Sequence, residues 1–221
     1  MYNSSLHRKG GRIPVQDLES HYEGGYFNID ATSPRIWNAS DVRNGAWTAV
    51  FSGAAGATYG AWSVWQFWNP ALYAGVVAVA PWQEQLVLPG SGQFVHVQNL
   101  LTNKTLGPGK YYFDRVPDNT LVASALGEGE ERVSATRDAK GRWAAVYAPQ
   151  GESFQVNLTR LGAAASISGK ATWTERWYDP RTGEFWEQKR QSAELKGAKT
   201  YQPPSRGGID HDWVLLIDSL H

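Results

Sequence analysis

In the segment PVQDLESHYEGGYF, Pro14 to Phe27, Glu19 and Glu23 stand four residues apart around His21 and Tyr22. Two carboxyl groups flanking one bond are the minimal equipment for glycoside hydrolysis. Retention of configuration needs them about 5–5.5 Å apart and inversion about 6.5–9.5 Å. Four extended residues span about 13 Å, so only a curled loop brings Glu19 and Glu23 together as a self-sufficient pair. Read alone, the stretch also fits a solvated acidic loop beside the Gly24-Gly25 pair. Glu19 closes the alternating run RIPVQDLE, which places Val15, Asp17 and Glu19 on one face of a strand. A carboxylate at the carboxyl end of such a strand is well placed as a nucleophile, and Asp17, one layer deeper, suits a structural role.

A second set of residues suits the same chemistry. In YGAWSVWQFWN, Tyr59 to Asn69, three Trp surround Ser63 and Gln66. Flat apolar faces next to hydrogen-bonding tips match the C–H faces and hydroxyls of sugars. Trp62 also fits a packing role against whatever follows.

Other chemistries lack their signatures. There are no cysteines, which removes disulfides, thiolate ligands and thiol nucleophiles. The five His have no paired spacing for zinc, so no metal or other cofactor is expected. No phosphate loop, dinucleotide fingerprint or serine elbow is present. Asp210-His211-Asp212 reads as a turn. A formal net charge of zero and the lack of a Lys/Arg-rich run give no reason to expect nucleic acid or an anionic membrane as partner. The longest apolar run, Ala71 to Pro81, is too short to span a bilayer. Sequons at Asn3, Asn38, Asn103 and Asn157 hint at secretion, although MYNSSLHRKGGR lacks the apolar middle of a secretory signal.

These residues must be positioned by a chain of two characters. Residues 1–105 carry six Lys/Arg and six Asp/Glu, whereas residues 106–221 carry fifteen of each. That shift, with TLGPGK at Thr105–Lys110, predicts two domains, 1–105 and 106–221. In the first, a strand at RIPVQDLE precedes a helix at NASDVRNGAWTAVFSGAAG, capped by Ser40 or Asp41. A β-rich segment at ATYGAWSVWQFW and a second helix at SGQFVHVQNLLTNK complete it. This is the grammar of an α/β fold with parallel strands, enough for the last quarter of an eight-stranded barrel.

The second domain reads as strands at ERVSATRDA, RWAAVYAPQ, SFQVNLTRL, ATWTERWYD, EFWEQKRQ and DWVLLID. In WYDPRTGEFW, Asp179, Pro180 and Gly183 specify a bulged hairpin. Short strands at this spacing predict an antiparallel β-sandwich.

With these stretches assembled, the chain resembles the C-terminal portion of the apiosidase-like glycoside hydrolases. The likeness is carried by PVQDLESHYEG, DVRNGAWTAVFSGAAGATYGAWSVWQFW, LPGSGQFVHVQNLL, RWYDPRTGEF and DWVLLID, over about residues 12–218. The resemblance implies the last strands and helices of a TIM-type (β/α)8 barrel, followed by a small β-sandwich that bears a collagen-binding family name. It implies a retaining glycosidase acting on plant cell-wall polysaccharide, including removal of apiose from pectin. Glu19 becomes the nucleophile, with Glu23 the fallback, and His21, Tyr22, Trp65 and Gln66 line the sugar subsite. The family dipeptide Gly-Glu is Leu18-Glu19 in this chain. The chain starts near the seventh barrel strand, so the general acid of an earlier strand has no counterpart and little turnover is expected from it alone. A missing barrel half or self-association would complete it. The alternative is a non-catalytic module binding carbohydrate or matrix protein.

Overall fold

The computed structural model describes residues 13–102, 115–161, 171–193 and 196–220. Two short parallel ladders open the chain: β1 (Gln16–Asp17) pairs with β3 (Gly56–Ala57), and β2 (Tyr22–Glu23) with β4 (Gly60–Ala61). The single strand expected to end at Glu19 is interrupted. The Asp17 carboxylate accepts the Glu19 N–H at 3.2 Å, a local bond that competes with the ladder, and pairing resumes only at Tyr22.

The crossover between the parallel strands is helix α1 (Ala39–Phe51). Its cap is Asn38, not Ser40 or Asp41. The Asn38 side chain accepts from the Ser40 and Asp41 N–H groups, while the Asp41 carboxylate accepts the Asn38 N–H at 2.8 Å. Nearly every turn of α1 is buried, because layers pack on both sides of it. After β4 come a single helical turn, α2 (Trp62–Trp65), then α3 (Pro89–Gln93) and α4 (Val95–Thr102). The second helix expected from the sequence is thus two pieces, meeting at Phe94.

All six strands expected in the second half are present. They are β6 (Ser134–Asp138), β7 (Trp143–Ala148), β8 (Phe154–Asn157), β9 (Ala171–Tyr178), β10 (Phe185–Ala193) and β12 (Trp213–Leu220). Two short strands were not read from the sequence, β5 (Arg115–Pro117) and β11 (Ala198–Tyr201). The main sheet runs β10-β9-β12-β7-β6-β5, antiparallel throughout, and β8 pairs with β11 in a second sheet. The hairpin between β9 and β10 has the expected chemistry: Gly183 takes φ +76° and donates to the Asp179 carbonyl at 2.8 Å. The Thr105–Lys110 boundary lies outside the described residues.

The main sheet is covered on both faces. On one, Val146, Trp173, Trp177 and Leu215 meet Phe154, Val156 and Tyr201 of the smaller sheet. On the other, Trp143, Tyr147, Tyr178 and Leu216 meet Trp47 and Phe51 of α1 and Leu100 and Leu101 of α4. This explains why β7, WAAVYA, is apolar at every position and buried at every position: alternate residues serve different cores. Among the described residues, no helix is long and apolar enough to cross a membrane.

Candidate active site

Strand alternation sends Tyr22 and Glu23 of β2 to opposite sides. Glu23 is only 2% exposed. Its Oε2 accepts from the Tyr59 hydroxyl at 2.7 Å and its Oε1 from the Gly90 N–H of α3 at 3.2 Å. Burial raises the Glu23 pKa, and these two bonds offset that only in part. Burial and the Glu23 bond push the Tyr59 pKa up as well. Gly90 is required by this approach, since a Cβ there would lie 2.3 Å from Glu23 Oε2.

Tyr22 faces the aromatic segment. Its ring lies edge-on to Trp62 at 5.5 Å and tilted to Trp65 at 6.4 Å, over Gly60, where a Cβ would come within 2.5 Å of the ring. Burial, and after it the nearby Glu19 carboxylate, raise the Tyr22 pKa. Glu19 itself is exposed, in the break between β1 and β2. Trp65 is 49% exposed and borders a cavity of about 350 Å³ with Tyr59, Gln85 and Leu86. Gln85, which is buried, sets the floor: its Oε1 accepts the Ser63 N–H at 2.7 Å and its Nε2 donates to the Gly24 carbonyl at 2.9 Å.

The structure therefore sets Tyr22 beside Trp65, with Glu19 near enough to Tyr22 to act on its pKa. The other three residues lie apart from them. Glu23 is enclosed toward α3. His21 packs edge-on against Trp37 at 4.3 Å and borders a different cavity, of about 480 Å³, with Asp17, Asn44 and Glu130. Its Nδ1 is buried without a hydrogen-bond partner, and burial, only partly countered by Asp41 and Glu130, lowers its pKa. The Gln66 amide is occupied by the Trp62 carbonyl and by both backbone groups of Val76. Among the described residues, no group of three or more His, Asp or Glu is placed to hold a metal ion.

Two supports escaped the sequence reading. One is the Tyr59–Glu23–Gly90 contact. The other starts at the turn Asp210-His211-Asp212, which anchors α1. Arg43 donates to both Asp212 oxygens, at 3.1 and 2.8 Å, to Asp210 at 3.1 Å and to Gln93 at 2.5 Å. Burial works against the charged guanidinium, but the bonds and charges of Asp212 outweigh it and hold the Arg43 pKa above its ordinary value. Two residues along α1, a Cβ on Gly45 would lie 2.6 Å from Ser20 Oγ, so the helix seats directly on the break that displays Glu19.

Residues 2–107 match the family model described as "Apiosidase-like, catalytic domain", and residues 116–218 the one described as "Putative collagen-binding domain of a collagenase". Among solved structures, one described as "Glycoside hydrolase" superposes with a TM-score of 0.78 and 28% identity, over 98% of this chain and 44% of its own length. A glycoside hydrolase family 5 protein from Bacteroides vulgatus superposes with a TM-score of 0.77 and 28% identity, over 95% of this chain and 42% of its own. The chain spans less than half the length of either structure. Comparison with curated proteins finds no match.

Proposed function

We propose that the chain, whose residues 2–107 resemble an apiosidase-like catalytic domain and residues 116–218 a collagen-binding-type one, is the nucleophile-bearing part of a retaining glycosidase acting on plant cell-wall polysaccharide. The observation that carries the reading is the exposed Glu19 carboxylate, near enough to raise the pKa of Tyr22, whose ring lies 6.4 Å from the half-exposed Trp65. In this mechanism Glu19 attacks the anomeric carbon, the bond to the leaving oxygen breaks, and an acid protonates that oxygen. Water then attacks the glycosyl ester and frees Glu19. Tyr22 orients the Glu19 carboxylate. Glu23, the fallback nucleophile, is better suited to holding β2 against α3, because its oxygens are already engaged and enclosed.

The general acid lies, in this proposal, on further polypeptide. Beside β1–β3 and β2–β4 no third strand is paired among the described residues. Two-stranded parallel sheets with free edges are rare as finished structures. We assign these strands to the end of an eight-stranded barrel, with the division between the two domains at 105/106. Completion would come from a missing barrel half or from self-association. Secretion belongs to the same reading and rests on the sequons.

The test is reducing-sugar release from plant cell-wall polysaccharides by the chain and by Glu19→Gln. General acid catalysis contributes about 10²–10⁴-fold, so release by the chain alone is expected to be weak and to vanish in the variant. Equal release from both proteins refutes the assignment of Glu19. Glycan binding that survives in Glu19→Gln, with no release from either protein, favours the non-catalytic module instead.

A further inference from the structure

The loop that follows α2 goes unused in the mechanism above. From Asn44 to Gln83, forty consecutive residues carry no Asp, Glu, Lys, Arg or His. Within this stretch Trp65, Phe67 and Tyr73 are exposed by 49%, 65% and 44%. The loop is closed at its neck. Trp62 Nε1 donates to the Val76 and Val77 carbonyls at 2.8 and 3.1 Å, and Gln66 Oε1 accepts the Val76 N–H at 2.7 Å. Inside it, Trp68 Nε1 donates to the Tyr73 carbonyl at 3.1 Å and the Tyr73 hydroxyl to the Gln66 carbonyl. Phe67 and Val77 both adopt left-handed backbone, φ +48° and +46°, a conformation unfavourable for a bulky or β-branched side chain. Such strain persists only where the surroundings over-determine it.

These facts have one physical reading. The polar tips of Trp62, Trp68 and Tyr73 are spent within the loop, and no charge is offered. What faces solvent includes the rings of Trp65, Phe67 and Tyr73, and Trp65 lies 6.4 Å from the ring of Tyr22. We propose that this loop is an outer platform on which an uncharged glycan chain stacks as it approaches Glu19. The proposal rests on the glycosidase reading and narrows it, because residues 44–83 carry no cation that would attract a polyuronate. Recognition by stacked faces selects sugars through their C–H surfaces, and the ordering cost is met when the loop folds rather than when the glycan binds.

The experiment is electrophoresis of the chain in native gels containing xyloglucan or galactomannan as neutral chains, or polygalacturonate as the anionic one. Wild type is compared with Trp65→Ala, Phe67→Ala and Trp65→Phe, each first checked for an unchanged melting temperature. The expected result is retardation by a neutral chain that is insensitive to salt. Binding should weaken about three- to tenfold in each Ala variant and recover in Trp65→Phe. No retardation by either neutral chain overturns the proposal, as does retardation by polygalacturonate alone that fades with salt. A concentration-dependent dimer abolished by Trp65→Ala, without glycan retardation, also overturns it, since the surface would then pair two copies. Sugar release is read from the same samples. Retardation without release sustains the platform and removes the hydrolytic reading, whereas release with no retardation does the reverse.

Discussion

At the scale of single residues, Glu23 and His21 show how little residue type says about role. Both lie in the segment that reads as catalytic, yet Glu23 is buried and half-buried His21 turns its Nδ1 into a place without a hydrogen-bond partner. The enclosure of Glu23 depends on Gly90, sixty-seven residues away, which no local pattern discloses. The interruption before Glu19 was more accessible, since Asp readily captures an N–H two residues on. Glu23→Ala is expected to destabilise the fold by about 1–3 kcal/mol for each donor left buried without a partner, measured by urea denaturation. His21 sets a pH dependence of definite sign. Its pKa is lowered from 6.5 by burial, so the unfolded chain takes up the proton first. The stability contributed by neutral His21 is present above pH 6.5 and is lost as pH falls through its folded value. The urea midpoint should fall between pH 7.5 and 5.5, and less steeply in His21→Gln. The remaining slope is expected from His96, whose pKa burial also lowers.

At the scale of elements, the strands of the second half were legible because each is a short alternating run between turn residues. Helix α1 was legible in place but not in surroundings: WTAVF reads as an apolar stripe, yet nothing in it says that its partner is β7. Its cap was misplaced by two residues or more because Asn38, Ser40 and Asp41 are all competent caps, and only the reciprocal bond from Asp41 selects Asn38. The Arg43–Asp212 pair joins residues 169 apart, beyond any local signal. Breaking a buried pair by removing one partner leaves an uncompensated charge, so Asp212→Ala should cost about 3–5 kcal/mol. A double-mutant cycle with Arg43→Met should return a large part of that loss. Trp47→Ala, which opens a cavity against Tyr147, is expected to cost about 3–5 kcal/mol, read from the shift of the thermal midpoint.

At the scale of the whole molecule, the two halves that composition separates share a core. Trp47, Phe51, Leu100 and Leu101 cover the face of the main sheet that a free-standing sandwich would leave to water. The second half therefore works as the bed on which α1 rests, and α1 in turn seats the break that displays Glu19. Tryptophan fluorescence and far-ultraviolet circular dichroism are expected to follow one coincident unfolding transition. Residues 116–220 expressed alone should bind a hydrophobic dye strongly, because Tyr147, Tyr178 and Leu216 lose their cover. Two separated transitions, with a dye-silent second half, would contradict the shared core.

The order of strands in the main sheet has a further consequence, for assembly. β12, the last described strand to leave the ribosome, lies between β9 and β7 in the middle of the sheet. Until it arrives, the β5-β6-β7 meander and the β9–β10 hairpin are two flaps with nothing between them. It acts as a keystone, placed last and bearing on both sides. Pairing it requires contacts with residues well before it in the chain, Trp143–Ala148 and Thr172–Tyr178, which slows folding and leaves the earlier strands to wait with open edges. Losing residues 213–220 would divide the molecule, whereas losing the β10 edge would only narrow it.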